Sequence, residues 1–307
     1  MPRPTATYVC AKRVLALCKA TVKPNPTTMN VKVLTQFAAL LALSAGVAFA
    51  QSTSKRKSPT SKFYVAEVNG FSQVNTGEKI EDLTEKSVFD AEGTVIETKP
   101  ESDNALVMSN GTGIYFAPDT KLSVKRFLQE PFSPNRTDLE SEPSMSQTKT
   151  MLSRGSVGLC SGKLVAGSTM VYDTPNGSVN ILSQNTQKLA IEISENTTTI
   201  TLFEGSLTLR GDNMAGGESL KPGQQAVIRS RGLNQPPEIK IGTIPENQRE
   251  RIEDMVNGAC QARQKVYFDV AEPQMDAGDE ASDLVPIDLT PSTPSEIGTI
   301  VSPARRN

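Results

Sequence analysis

Residues 171–228 read VYDTPNGSVNI (171–181), KLAIEI (188–193), TTTITLFEGSLTLRGD (197–212) and ESLKPGQQAVI (218–228). Each segment is a short run of Val, Ile, Leu, Phe or Thr closed by Gly, Asn or Pro. Apolar and polar residues alternating over four to eight positions mark half-buried strands. In LFEGSLTL, Leu202, Leu207 and Leu209 lie on either side of Gly205, which places two strand segments about a tight corner. Gly205 and Gly223 can take positive φ without a Cβ penalty. The stretch predicts an all-β fold of many short strands turning at Gly and Asn.

The pattern extends upstream. FYVAEVNGFSQV (63–74) is broken at Asn69-Gly70, a dipeptide that predicts a hairpin. A strand follows Gly93, and ALVMSNGTGIYF (105–116) holds a second turn at Asn110-Gly111. APDTKLSVKRF (117–127) alternates Leu122, Val124 and Phe127 after a Pro-Asp turn. Residues 128–150 show neither hydrophobic period and hold three prolines, which predicts a long surface excursion. Loops of that length are often functional, so it is a candidate partner contact. Strands resume at MLSRGSVGLCSGKL (151–164), with Val157 and Leu159 on one face and Cys160 on the other.

One helix is expected over 245–268. Pro245 starts it, and Ile252, Met255, Val256, Ala259 and Val266 recur at three-and-four spacing. Gly258 weakens its middle by about 1 kcal/mol relative to Ala. Cys260 lies near the apolar stripe, so a helix packed on the sheet's outer face would meet Cys160. Residues 269–307 are rich in Asp, Glu, Ser, Thr and Pro, which predicts a disordered tail. The β domain itself is expected over 63–244.

Residues 29–50 have the three parts of a secretory signal: Lys32, an apolar run from Phe37 to Val47, and Ala48-Phe49-Ala50. Cleavage after Ala50 is expected, because the small residues favour it over an uncleaved anchor. The mature chain would then be periplasmic or extracellular, with no membrane span. Residues 1–28 are basic, without an acid, and read either as an extension upstream of a start at Met29, the preferred reading, or as a long basic n-region that stays on the cytoplasmic side. Residues 51–62 read as a flexible leader. The exported part keeps Cys160 and Cys260, an even pair and hence a candidate disulfide. Two buried free thiols remain the alternative.

The 307 residues contain no His and no Trp, with 32 basic and 34 acidic side chains. A charge of −2 gives no long-range attraction for nucleic acid. Without His there is no Ser-His-Asp triad, Cys-His dyad or His-ligated zinc. Glu81 with Asp82 and Glu101 with Asp103 are neighbouring acids in turns. Arg210-Gly211-Asp212 ends a strand, where turn chemistry accounts for it. Sequons occur at Asn110, Asn135, Asn176 and Asn196, two of them in Asn-Gly turns. No metal ligand set or phosphate-binding glycine loop is present. The reading names no catalytic residue, cofactor or metal: the chain is not expected to be an enzyme.

Several of these segments together resemble the FecR-type extracytoplasmic domain of iron-dicitrate transport regulators. Between 63 and 230 the matching pieces include Val65-Ala66-Glu67-Val68-Asn69-Gly70 and Gly93-Thr94-Val95-Ile96-Glu97-Thr98. Ala117-Pro118-Asp119-Thr120-Lys121-Leu122, Gly155-Ser156-Val157 and Thr174-Pro175-Asn176-Gly177-Ser178-Val179 follow in order. Phe203-Glu204-Gly205-Ser206-Leu207 and Leu220-Lys221-Pro222-Gly223-Gln224 complete the series. The family's Arg-Gly-Thr is replaced by Leu182-Ser183-Gln184, and the residues before Met29 leave no room for the regulators' cytoplasmic anti-sigma segment. The resemblance implies the fold, a roll or solenoid of short strands, and the compartment, not sigma-factor control. The expected function is a non-catalytic sensing or protein-interaction module, contacting a protein or envelope partner through strand edges or loops. A cell-envelope structural or adhesive protein binding polysaccharide is the alternative.

Overall fold

The structure, a computed structural model, describes residues 61–132, 140–181, 185–210, 217–231, 235, 237–270 and 284–289. Strands β1 (Lys62–Asn69), β2 (Ser72–Asn75), β3 (Ile80–Asp82) and β4 (Val88–Asp90) come first. Next are β5 (Val95–Thr98), β6 (Asp103–Met108), β7 (Gly113–Phe116) and β8 (Lys121–Gln129), and then the long β9 (Ser146–Ser161). After it run β10 (Thr169–Thr174), β11 (Gly177–Ile181), β12 (Gln187–Ser194) and β13 (Thr197–Glu204). β14 (Leu207–Arg210), β15 (Glu218–Leu220), β16 (Gln224–Arg229) and β17 (Glu238–Thr243) lead to helix α1 (Glu246–Lys265). A hairpin of β18 (Val266–Val270) and β19 (Leu284–Asp288) follows.

The seventeen strands before the helix divide between two layers that share β9. An inner sheet runs β4-β1-β6-β7-β9-β12-β13-β16-β17. An outer sheet runs β3-β2-β5-β8-β9-β10-β11-β14-β15. The first half of β9 pairs with β8 and β10, and its second half with β7 and β12. Gly155 sits at the change, with φ +81°. A Cβ there would press on the backbone of Thr120 and Asp119. Only a residue without a side chain can take that φ so close to another strand.

Gly205 is a second corner, with φ +101°, where the chain leaves β13 in the inner sheet for β14 in the outer. Leu202 and Leu207, on either side of it, enter the same core. That core lies between the sheets. The inner sheet supplies residues such as Phe63, Leu106, Phe116, Leu159, Ile191 and Ile200, and the outer sheet Ile96, Leu122, Phe127, Tyr172 and Leu209. Outer strands alternate buried and open positions, as one covered face requires. Inner strands instead carry unbroken buried runs, Asn104–Met108 in β6 and Val157–Ser161 in β9. Their second face is covered by α1 and the β18–β19 hairpin, through Tyr64, Ala105, Val107, Ala190, Ile252, Val256, Ala262 and Phe268.

The all-β class with one helix on the sheet is what the structure shows. Four details differ from the sequence reading. Asn69-Gly70 does not close a hairpin. β1 pairs with β4 and β6 while β2 pairs with β3 and β5, so the dipeptide turns the chain from one sheet to the other. Asn110-Gly111 does join a hairpin, β6–β7. The excursion expected over 128–150 is shorter at both ends, because β8 reaches Gln129 and β9 begins at Ser146. The inward positions of that stretch are Ser146, Thr148 and Thr150, buried but polar, so no hydrophobic period marks them. Glu142, also buried, anchors the segment before β9: it accepts from Ser146 Oγ (2.6 Å) and from the Val165 N–H (2.7 Å).

The helix stops at Lys265, and residues 266–270 pair with 284–288, so the stretch from 269 onward contains a strand. Val266, Phe268 and Leu284 are buried there, which a chain read only for its acids and prolines conceals. The signal segment at 29–50, residues 1–28, and all but the last two residues of the leader at 51–62 lie outside the described residues. So do 133–139, Leu182-Ser183-Gln184, Gly211-Asp212, 271–283 and 290–307.

Two glycines with similar φ separate strain from crowding. Gly223 (φ +80°) has open space where a Cβ would stand, whereas Gly155 has backbone. Gly223→Ala is expected to cost about 1–2 kcal/mol from φ alone. Gly155→Ala adds overpacking of about 1–3 kcal/mol. Urea unfolding of both variants measures the difference, and equal losses would refute the role given to the bend in β9.

Candidate functional site

The helix packs on the inner sheet almost backbone to backbone. Gly113 in β7 lies under the Ala259 carbonyl and Gly158 in β9 under that of Met255, where any Cβ would collide. In return, Gly258 on the helix leaves room for the Tyr115 ring. The glycine that weakens the helix in isolation is thus the one that lets it sit down. At this seam the structure joins Cys160 of β9 to Cys260 of α1, with Cα atoms 5.1 Å apart. Three turns of the apolar stripe, Ile252, Met255 with Val256, and Ala259, reach the sheet as the spacing predicts, and Ala262 continues it.

Beside the disulfide is a cleft of about 290 Å³, lined among others by Lys188, Glu204, Asn257 and Arg263. Its charges are engaged. Lys188 Nζ pairs with Glu204 at 2.8 Å, and Thr186 Oγ1 donates to the same carboxylate at 2.6 Å. These contacts, Lys188 first, hold Glu204 below the usual carboxylate range. Arg263 is buried and its Nε donates to the Gly111 carbonyl at 3.0 Å. Burial lowers its pKa from the usual guanidinium value. Tyr115 is pushed up to about 12, first by burial and then by the Asp103 carboxylate.

The acids singled out in the sequence do not converge on a reacting centre. Glu81 pairs with Lys79 (2.8 Å), and Asp82 accepts from Gln73 (3.3 Å). Asp103 accepts from Asn69 Nδ2 (2.9 Å), while Glu101 occupies a turn at φ +55°. The sequon residues Asn110 and Asn176 are both buried, donating to Ser146 and Thr198 respectively. Their side chains serve the turns and are closed to a glycan. Asn196 is exposed, Asn135 lies outside the described residues, and Arg210 is exposed at the end of β14. Among the described residues no three acids or cysteines are grouped to hold a metal ion, and no helix is long and apolar enough to cross a membrane.

No family model matches the chain, and no curated protein is similar to it. Among solved structures, it is similar to a "putative anti-sigma factor" from Parabacteroides distasonis, known in two crystal structures. The identity is 10% and the TM-score 0.36, with the match covering 51% of this chain. It spans 62% of that protein's length, less than two thirds.

Two surface features went unread in the sequence. The first is β17, at one edge of the inner sheet. Among the described residues it pairs only with β16, and at six residues it is twice as long as the edge strands β3, β4 and β15. Ile239 and Ile241 stand opposite Ile228 and Ala226, on the core-facing side. Ile239 packs against the core, but Ile241 remains 37% exposed. The second is Glu97, on the open face of the outer sheet. Its carboxylate takes Lys99 (2.7 Å), Arg154 (3.1 Å) and Lys121 (3.2 Å), residues from three separate parts of the chain. The Lys99 contact first, and then that with Lys121, lower its pKa to about 2.

The seam yields one expectation. Replacing Cys160 and Cys260 together by Ser should lower stability by about 2–5 kcal/mol in denaturant unfolding. An unchanged midpoint would show that the glycine contacts alone seat the helix. The Glu97 cluster yields another. A carboxyl with a depressed folded pKa stabilises above its unfolded value and loses that contribution as pH falls through the folded one. Glu97→Gln should therefore lower the melting temperature at pH 6, with the deficit vanishing between about pH 4.5 and pH 2. A deficit independent of pH would mean that packing, not charge, is what Glu97 supplies.

Proposed function

We propose that this chain is a non-catalytic, exported module of FecR type, which senses or joins a protein partner by contact at the free edge of the inner sheet. The observation that carries the reading is β17. Its outer backbone row is unpaired among the described residues, and Ile241 leaves core surface uncovered at the mouth between the layers. An extended segment of a partner would continue the sheet through main-chain hydrogen bonds, and an alternate apolar side chain would cover Ile241. Lys240, on the opposite side of the strand and 72% exposed, discourages indiscriminate pairing.

The export reading rests on the signal-like segment at 29–50, and the family reading on the ordered turn and strand pieces between 63 and 230. The absence of His from the sequence, with the ion-paired state of Glu97, Glu204 and Glu81, supports contact over catalysis. The test is affinity capture from a cell-envelope fraction, using the wild type and an Ile241→Asp variant of matched circular dichroism. A protein retained by the wild type and lost from the variant, then reconstituted with purified components, is the expected outcome. Identical captures by the two chains would refute edge pairing.

A further inference from the structure

The inner sheet has a cover on each face, whereas the outer sheet turns one face to solvent. Its two central strands are unusual in charge. β8 carries Lys121, Lys125 and Arg126, and the β9 sequence carries Lys149 and Arg154, with no Asp or Glu in either strand. This occurs in a chain whose net charge is −2. The register sets like charges directly opposite one another: Lys121 faces Arg154, and Arg126 faces Lys149. Such pairs oppose folding.

Glu97 offsets the first pair. In the second, Lys149 reaches Asp173 at 3.1 Å, but no carboxylate among the described residues pairs with Arg126 or Lys125. A bulge between Val124 and Arg126 turns Lys125 and Arg126, two consecutive cations, toward solvent. The two like-charge pairs are separated by roughly 15 Å along the strands.

We propose that this face binds a linear polyanionic polysaccharide. The proposal is independent of the edge reading of β17. Besides the cations, the outward positions of the sheet hold Gln73, Asn75, Ser123, Gln147, Ser178 and Thr208, all able to hydrogen-bond hydroxyls. None of the outward strand positions is aromatic. Protein interfaces are built around Trp, Tyr and apolar anchors and are poor in Lys and Ser. Single-stranded nucleic acid is bound on aromatic stacking platforms. A membrane surface would call for apolar residues protruding among the cations, yet Val95, Met151 and Val171 are half-buried, and the protruding Ile80 lies off at edge strand β3. Rows of cations among amides and hydroxyls fit a charged sugar chain.

The experiment uses the full chain and polygalacturonate as the probe. Neutral dextran, vesicles of phosphatidylcholine and phosphatidylglycerol, and single-stranded poly(dT) serve as competing arms. Binding to polygalacturonate that weakens with salt, absent for dextran, is expected. Lys125→Ser with Arg126→Ser should weaken it about tenfold, since fewer charges are then neutralised. Lys240→Ser, outside the face, should leave it unchanged. Arg126→Ser alone should raise the melting temperature, because it removes a repulsion. No binding at 50 mM salt, equal binding by the double variant, or tighter binding to vesicles or poly(dT) would overturn the proposal. So would a fall in melting temperature for Arg126→Ser.

Discussion

Strand β9 has to serve two sheets at once, and the bend at Gly155 is what lets it do so. Up to the bend it pairs within the outer layer, and beyond it within the inner one. Four strands flank it on each side in both sheets, so neither layer is continuous without it. The core is likewise undivided. Leu152 before the bend and Val157 after it belong to one apolar cluster that takes in both halves of the chain.

Much of this was legible, and the failures have a common physical origin. Alternation in β10, β11 and β14 read correctly because one face of the outer sheet meets water. Gly205 and Gly223 read as corners because positive φ is a local property. The two Asn-Gly dipeptides show where locality ends. Both set their glycine at φ +80°, yet one closes a hairpin and the other changes sheet, and strands far away in sequence decide which. The polar inward row Ser146, Thr148 and Thr150 hid the start of β9 for a related reason: these positions are buried by strands far away in sequence, and the Ser146 hydroxyl takes Asn110, 36 residues away, as a partner.

The same division holds for the surface. The cysteine pair could be proposed from parity and from the helical stripe. The Glu97 cluster could not, because Arg154 lies 57 residues away from the acid it contacts. Nor could the run of cations on β8 and β9 be seen as a single feature before the register placed them side by side. Charge balance over the whole chain conceals this, because acids elsewhere offset it. The molecule thus presents an apolar, hydrogen-bonding edge in one layer and a cationic polar face in the other, and these are suited to different chemistry.

The disulfide also shapes how the molecule would answer to force. Cys160 and Cys260 are 100 residues apart. Tension applied between the two ends of the chain would pass from the central strand straight into the helix, skipping everything between. Those intervening residues, about 330–360 Å of contour if drawn out, would be withheld from extension for as long as the sulfurs stay joined. While that bond is intact, half of the sandwich is spared the load.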